Sequence, residues 1–124
     1  MIFGVGIDLI EVARIEKQLL ENSGFREKIF TKDEIKYCDS KKKKAEHFAA
    51  RFAAKEAFLK AIGTGWRNGF SFLEIAVLND EFGKPILEIY GKTKQFIEEN
   101  KIKNMQISLS HLKDLATAIV ILEK

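Results

Sequence analysis

The chain lacks the residues on which disulfide and soft-metal chemistry depend. It has one cysteine, Cys38, and two histidines among its 124 residues. A single cysteine excludes an internal disulfide and is typical of a reducing cytoplasm, and the polar segment around Cys38 indicates no role for the thiol. Metal sites built from cysteine and histidine are likewise excluded. Any divalent ion bound by the chain would therefore prefer oxygen ligands, as magnesium does.

Long apolar segments are also lacking. No apolar run approaches the roughly 20 residues that a transmembrane helix needs. No basic region precedes the apolar residues at the N-terminus, so this segment does not resemble a secretory signal. With 46% hydrophobic and 31% charged residues, the composition is that of one folded domain spanning residues 1–124. We therefore expect a single cytoplasmic domain without a membrane segment.

The excess of positive charge is small. The formal net charge of +3 does not by itself indicate nucleic-acid binding. Four consecutive lysines at 41–44 fit either a basic patch for nucleic acid or a solvated turn before the next helix. We favour the turn, because no aromatic residues are interleaved with the lysines and no second basic stripe accompanies them.

The hydrophobic pattern predicts an α+β domain of the order β-α-α-α-β-β-α-β-β. Strands are predicted at 2–9, 72–79, 85–90, 105–110 and 115–122. Helices are predicted at 10–22, from a capping-box sequence at Thr31, at 44–62 and at 91–100, and a glycine-containing loop at 63–71. Because strands and helices do not alternate in a repeating unit, we expect a mainly antiparallel sheet packed on the long buried helix at 44–62.

The predicted helix at 44–62 is apolar on nearly every side and yet carries four charged residues between positions 51 and 60. These charged residues are Arg51, Lys55, Glu56 and Lys60. A buried charge without a partner is costly, so it is retained only with a partner, a metal or a charged ligand. A Glu56–Lys60 pair at i,i+4 would explain two of the charges. Because that pair leaves Arg51 and Lys55 unexplained, we favour a ligand site.

Two residues outside this helix are further candidates. Asp8 ends the predicted first strand, where it could cap the following helix or, together with Glu56, hold a divalent ion. Spacing alone does not decide between these interpretations. His111 closes a predicted strand, and a lone histidine there is more often a structural hydrogen-bonding residue than a functional one. The sequence contains no Walker or Rossmann glycine pattern and no evident Ser-His-Asp triad.

Two segments resemble the motifs of the 4′-phosphopantetheinyl transferase family. Residues 6–15, GIDLIEVARI, resemble the N-terminal motif, in which Arg-Ile follows an aspartate by six residues. Residues 52–65, FAAKEAFLKAIGTG, resemble the second motif, Lys-Glu-Ala-x-x-Lys-Ala-x-Gly-x-Gly. The chain length, Phe52 in place of the tryptophan of larger members, Gly83-Lys84-Pro85 and Ser-x-Ser-His at 108–111 resemble the short bacterial subgroup, holo-[acyl-carrier-protein] synthase.

The resemblance implies a reaction and a set of residues that perform it. The reaction is the transfer of phosphopantetheine from coenzyme A to a serine of apo acyl carrier protein, with magnesium as cofactor and adenosine 3′,5′-bisphosphate as product. Asp8 and Glu56 would hold the magnesium, and Lys60 would contact the attacked phosphate and assist the leaving group. The residues implied in coenzyme A binding are Arg51, Lys55, Lys60, Gly63, Ser110 and His111.

The resemblance also implies a homotrimer with its active sites between subunits, so that His111 would act on a neighbour's ligand. The helix that carries Arg14 would dock the acidic carrier protein. Glu56 or a metal-bound water would accept the serine proton, and the sequence does not decide between them. A non-catalytic module that binds coenzyme A and a nucleic-acid-binding protein are the competing hypotheses. The presence of both carboxylates and of Lys60 favours the enzyme.

Overall fold

The computed structural model of the protein describes residues 1–21, 23–63 and 69–124. Most of the predicted loop at 63–71 therefore lies outside the described residues. The elements begin with β1 (Ile2–Glu11), α1 (Val12–Leu20), α2 (Phe25–Ile29), α3 (Lys32–Asp39) and α4 (Lys44–Ile62). After a 3-10 turn (Phe72–Glu74) they continue with β2 (Ile75–Asn79), β3 (Pro85–Ile89), α5 (Gly91–Glu99), β4 (Asn104–His111) and β5 (Leu115–Glu123).

The order of strands and helices confirms the predicted α+β arrangement and adds the short helix α2. The strands form two antiparallel sheets, one with the order β1-β5-β4 and one made of β2 and β3. The capping box at Thr31 is present, because the Thr31 hydroxyl accepts from Glu34 N and the Glu34 carboxylate accepts from Thr31 N. Among the described residues, no helix is both long and apolar enough to cross a membrane.

A second capping box shortens one predicted strand. Residues 72–79 were expected to be extended throughout, but Phe72–Glu74 form the 3-10 turn. The Ser71 hydroxyl accepts from Leu73 N, and the Glu74 carboxylate accepts from Ser71 N. These two bonds satisfy main-chain donors that a strand would have left for a partner, so β2 begins only at Ile75.

Helix α4 lies in the core, and two glycines allow β1 to cross it closely. A Cβ atom on Gly6 would lie 1.8 Å from the carbonyl oxygen of Ala57, and one on Gly4 would lie 1.9 Å from that of Ala61. Only glycine fits at both positions, since no side chain could be accommodated against the helix backbone. The crossing places the next inward-facing strand residue, Asp8, beside the second half of the helix.

The opposite face of β1 is apolar and exposed. Val5, Ile7 and Leu9 are 52%, 62% and 64% exposed, although they alternate with residues that face α4. In the ladder, Val5 pairs with Ile121 and Ile7 pairs with Ile119 on β5. The three-stranded sheet therefore packs one face on α4 and presents an apolar stripe on the other, which is unusual for a sheet face in water.

Candidate active site

Asp8 and Lys60 form an ion pair where β1 crosses α4. Lys60 Nζ lies 3.1 Å from Asp8 Oδ1 and 3.0 Å from the main-chain carbonyl oxygen of Ile7. Asp8 pairs with Ala118 inside the ladder, and β1 continues to Glu11 before α1 begins. The prediction that Asp8 ends the strand, and with it the alternative of a helix cap, is wrong because the pairing with β5 extends the strand beyond it.

Glu56 lies one helical turn before Lys60 and is half-buried. Within the described part of the chain its carboxylate has no hydrogen bond or ion pair. Burial raises the pKa of Glu56, repulsion from Asp8 raises it further, and attraction to Lys60 opposes both effects. Two carboxylates that repel each other beside an ammonium group favour a cation between them and an anion close by.

Two carboxylates are enough protein ligands for magnesium but too few for a metal ion that is coordinated by protein side chains alone. Over residues 1–21, 23–63 and 69–124, no group of three or more His, Cys, Asp or Glu side chains could hold a metal. Magnesium commonly uses only one or two carboxylates and completes its octahedron with water and phosphate oxygens. Asp8 and Glu56 could therefore hold Mg²⁺ together with a phosphate ester, whereas they could not form a site for zinc by themselves.

Lys55 is a structural residue, so the prediction that it contacts coenzyme A is wrong. Its Nζ lies 2.6 Å from Glu34 Oε1, 2.7 Å from the carbonyl oxygen of Ile29 and 3.0 Å from that of Phe72. Both side chains of the Lys55–Glu34 pair are inaccessible to solvent. An ammonium group has three donors, and all three are already used inside the protein.

The partner of Lys55 also joins several elements. Besides the lysine, the Glu34 carboxylate accepts from Val77 N at 2.9 Å and from Thr31 N at 2.8 Å. Burial lowers the pKa of Lys55, and attraction to Glu34 opposes this effect. The pair thus connects α3 and α4 with β2 and explains one of the charges on the buried helix without a ligand.

Arg51 is also buried, and it holds the turn between β2 and β3. Only 2% of the residue is exposed, and its Nη2 donates to Asn79 Oδ1 at 2.6 Å. Its guanidinium carbon lies 4.1 Å from the centroid of the Tyr37 ring, and Asn79 Nδ2 donates to the carbonyl oxygen of Gly83 at 3.0 Å. Nε of Arg51 is buried without an acceptor among the described residues. The role of Arg51 in nucleotide binding stays a prediction.

His111 belongs to a second cluster at the other end of α4. Its Nδ1 lies 2.9 Å from Oε1 of Glu46, and its ring lies edge-to-face on that of His47, which in turn contacts Tyr37 in the same way. From Glu46 to Glu56 the helix rises about 15 Å, at 1.5 Å per residue. One chain therefore does not bring His111 to the phosphate that Asp8, Glu56 and Lys60 would hold.

Sequence reasoning did not identify Glu46, His47 or Tyr37 as part of this cluster. The i,i+4 spacing of His47 and Arg51 places both on one face of α4 and was the available signal. Ser110 is exposed on β4 opposite Thr117, and Gly63 ends α4 with a φ of +80°. The predicted helix stop at Gly63 is confirmed. The roles of Ser110 and Gly63 in ligand binding stay predictions.

Arg14 is exposed on α1 and lines a groove that also includes Phe52 of α4. The groove has a volume of about 440 Å³ and is lined by Ile10, Arg14, Ile15, Lys17, Gln18, Phe25 and Phe52. Phe52 lies one turn before Glu56 on the same helix. The lining of the groove thus combines apolar residues with the basic residues Arg14 and Lys17.

The chain and its structure match known proteins over their full length. A family model described as the 4′-phosphopantetheinyl transferase superfamily matches residues 4–120. A holo-[acyl-carrier-protein] synthase of Geobacter sp. (strain M21) is 46% identical over 125 residues and covers 100% of both chains. The crystal structure of holo-[acyl-carrier-protein] synthase from Neisseria meningitidis has a TM-score of 0.90 at 35% identity, over 100% of both chains. The Bacillus anthracis structure, in complex with CoA (3′,5′-ADP), has a TM-score of 0.81 at 43% identity and covers 99% of this chain and 97% of that chain.

Proposed function

Because this chain belongs to the 4′-phosphopantetheinyl transferase superfamily, we propose that it is the transferase that converts apo acyl carrier protein into its holo form. The donor is coenzyme A, the acceptor is a serine of the carrier, and adenosine 3′,5′-bisphosphate is released. The observation that carries this proposal is the cluster of Asp8, Glu56 and Lys60, in which two repelling carboxylates lie beside an ammonium group. Relatives named holo-[acyl-carrier-protein] synthase and structures with bound coenzyme A support the same substrates.

The chemistry requires neutralisation of phosphate charge more than it requires a covalent intermediate. Magnesium bound by Asp8 and Glu56 would neutralise the pyrophosphate of coenzyme A and orient it. The serine oxygen attacks the phosphorus that carries the pantetheine arm, and the bond from that phosphorus to the oxygen of the nucleotide phosphate breaks. Lys60 lies next to Asp8 with an exposed side chain, so its ammonium group can reach the leaving oxygen.

Glu56 is a candidate base for the serine proton. Without a bound metal, burial is the main cause that raises the pKa of Glu56, and a carboxylate with a raised pKa accepts a proton more readily than an ordinary one. The absence of a hydrogen-bond donor to Glu56 among residues 1–21, 23–63 and 69–124 leaves its oxygens available. Glu56 is thus one of two candidate bases for the serine proton, and a metal-bound water is the other.

The groove beside Glu56 is the proposed docking site for the carrier protein. Acyl carrier proteins are strongly acidic, and Arg14 and Lys17 lie at the edge of this groove on exposed positions of α1. Opposite charges on two partners increase the association rate and orient the encounter. Docking there would bring the acceptor serine towards Phe52 and Glu56.

We further propose a homotrimer in the cytoplasm, assembled through the apolar face of β1. Exposed Val5, Ile7 and Leu9 form a stripe that a second copy would cover. Within one chain, the length of α4 separates His111 from Glu56. Assembly would supply His111 from a neighbouring subunit instead. Equilibrium sedimentation should give the mass of three chains, and Val5→Glu should reduce it to one. A fully active single chain would contradict this part of the proposal.

The transfer reaction is tested directly by the mass of the carrier. The protein is incubated with coenzyme A, magnesium and an apo acyl carrier protein, and the carrier should gain one phosphopantetheine group. Omission of magnesium and addition of a chelator serve as controls. Binding of coenzyme A without any change in the carrier would instead support the non-catalytic module.

A further inference from the structure

The imidazole of His111 is held by a buried carboxylate on another element. Glu46 lies in the first turn of α4 and His111 is the last residue of β4, yet Nδ1 and Oε1 are 2.9 Å apart. The Glu46 side chain is 11% exposed and that of His111 is 31% exposed. Because a carboxylate only accepts, the nitrogen that faces it carries a hydrogen. The bond therefore leaves Nε2 as the nitrogen directed to another partner.

A second side chain from α4 restrains the same ring. The rings of His47 and His111 are 5.0 Å apart at an interplanar angle of 62°, an edge-to-face contact. Burial, and then the neighbouring His111, lower the pKa of His47. The ring of His47 therefore restrains the ring of His111 by contact.

Nε2 of His111 is available for a ligand. In the part of the chain that the structure describes, no hydrogen bond is made to this nitrogen. When the ring takes up a second proton, Nδ1–H remains on Glu46 and Nε2–H can donate to an anion. Carboxylate, imidazolium and phosphate would then alternate in charge, which strengthens both hydrogen bonds.

We propose that Glu46 is a positioning residue for nucleotide binding, because it accepts the Nδ1–H of His111 and so directs Nε2 at a phosphate of coenzyme A. The inference rests on the proposed function, in which His111 contacts the nucleotide end of the donor. Glu46 itself acts through the histidine and touches neither substrate. The same arrangement is known at metal sites, where a carboxylate that holds a histidine orients the ring and sets its tautomer.

Two substitutions separate the hydrogen bond from the charge. Glu46→Leu removes the acceptor, whereas Glu46→Gln keeps an oxygen that can accept Nδ1–H but removes the charge. Calorimetric titration with adenosine 3′,5′-bisphosphate should show affinity reduced by roughly five- to tenfold in Glu46→Leu and by less than about threefold in Glu46→Gln. In turnover assays KM for coenzyme A should rise by a similar factor in Glu46→Leu, with kcat nearly unchanged.

The tautomer of His111 gives a readout that a general loss of stability would not change. In ¹⁵N spectra of the neutral ring, the native protein and Glu46→Gln should carry the hydrogen on Nδ1, and Glu46→Leu should carry it on Nε2. Glu16→Leu is the matched control, because Glu16 lines the same cleft between α1 and α4 as Glu46 but makes no bond to His111. It should change neither the affinity nor the tautomer.

Three results would overturn the inference. They are an unchanged nucleotide affinity in Glu46→Leu, an unchanged tautomer, or a Glu46→Gln defect as large as that of Glu46→Leu. Should Glu46→Leu fail to fold, Glu46→Ala, which also lacks an acceptor and adds no bulk, takes its place. Nucleotide affinity is measured without the carrier, so a failure of transfer by the native protein would count against the proposed function and not against the role of Glu46.

Discussion

Lys55 and Lys60 lie on the same helix and have opposite environments. Lys55 has no exposed side-chain surface and three acceptors, whereas the side chain of Lys60 is 55% exposed and is bonded to Asp8 and to one main-chain carbonyl. Lys55 has no donor left for a ligand, and Lys60 can leave its partners at low cost. A positive charge on a buried helix is therefore not in itself a ligand site, and what distinguishes the two lysines is the completeness of their hydrogen bonding.

The largest expected effect concerns the free energy of unfolding. Lys55→Met should lower the free energy of unfolding by about 3 to 5 kcal/mol, because it leaves the Glu34 carboxylate buried without its cation. Lys60→Met should change it by less than about 1 kcal/mol, because its ion pair is largely exposed. Urea unfolding of both variants gives the two values. Equal losses would show that the burial of Lys55 does not determine its role.

For catalysis, we expect substitution of Lys60 to have a large effect although its effect on stability is small. Lys60→Ala should lower kcat by about 10²- to 10³-fold with a smaller effect on KM for coenzyme A, as expected for a group that acts on the leaving oxygen in the transition state. Asp8→Ala and Glu56→Ala should abolish transfer at limiting magnesium while the fold is retained. Steady-state kinetics tests all three variants, and circular dichroism spectra that match that of the native protein serve as the control for folding. If the Lys60→Ala defect were confined to KM, Lys60 would bind a substrate phosphate without assisting the leaving group.

Arg14 extends the comparison to an exposed cation that would contact a partner. Arg14→Glu should raise KM for the carrier protein by roughly tenfold and leave KM for coenzyme A nearly unchanged, since the reversed charge repels an acidic surface. Transfer by the native protein should also slow as salt is added, because charges more than about 10 Å apart are screened at roughly 0.1 M ionic strength. Initial rates across a salt series measure both effects. A defect in coenzyme A binding would instead show that Arg14 belongs to the nucleotide site.

The smallest expected effect concerns the pH dependence of stability at Glu56. Its pKa is raised on folding from the ordinary value of 4.5, so the native state binds more protons than the unfolded state in the window above 4.5. Stability attributable to this group is present at low pH and is lost as the pH rises through that window. Glu56→Gln should therefore stabilise the protein at pH 7 by less than about 1 kcal/mol, with no gain at pH 4. Urea unfolding at the two pH values, without magnesium, checks the sign.

Much of the fold could be predicted from local patterns. Period-two and helical spacing located the strands and α4, and the capping box at Thr31 and the glycine at 63 marked helix ends. The end of the first strand was missed because it depends on pairing between distant residues. Asp8 remains within a strand because β5 pairs with it from Ala118, and no local signal at 8–11 reports that partner.

In the candidate site, too, local motifs identified some residues, whereas contacts between distant residues were missed. Asp8, Glu56 and Lys60 were identified by their motifs, and the structure brings Asp8 and Lys60 into contact and Glu56 close enough to repel Asp8. The assignment of Lys55 failed because its partner Glu34 is 21 positions away in the chain, on a different helix. The bond between His111 and Glu46 spans 65 positions and was likewise beyond local reasoning.

The close crossing of β1 over α4 has a consequence for motion. The residues that carry the proposed chemistry are attached to β1, an edge strand of its sheet, and to the core helix α4, and the two elements are in close contact at Gly4 and Gly6. Most residues of α4 are buried, so the amide hydrogens of this helix should exchange slowly. The catalytic geometry should therefore exist before any substrate arrives, and binding would order the partner more than the enzyme.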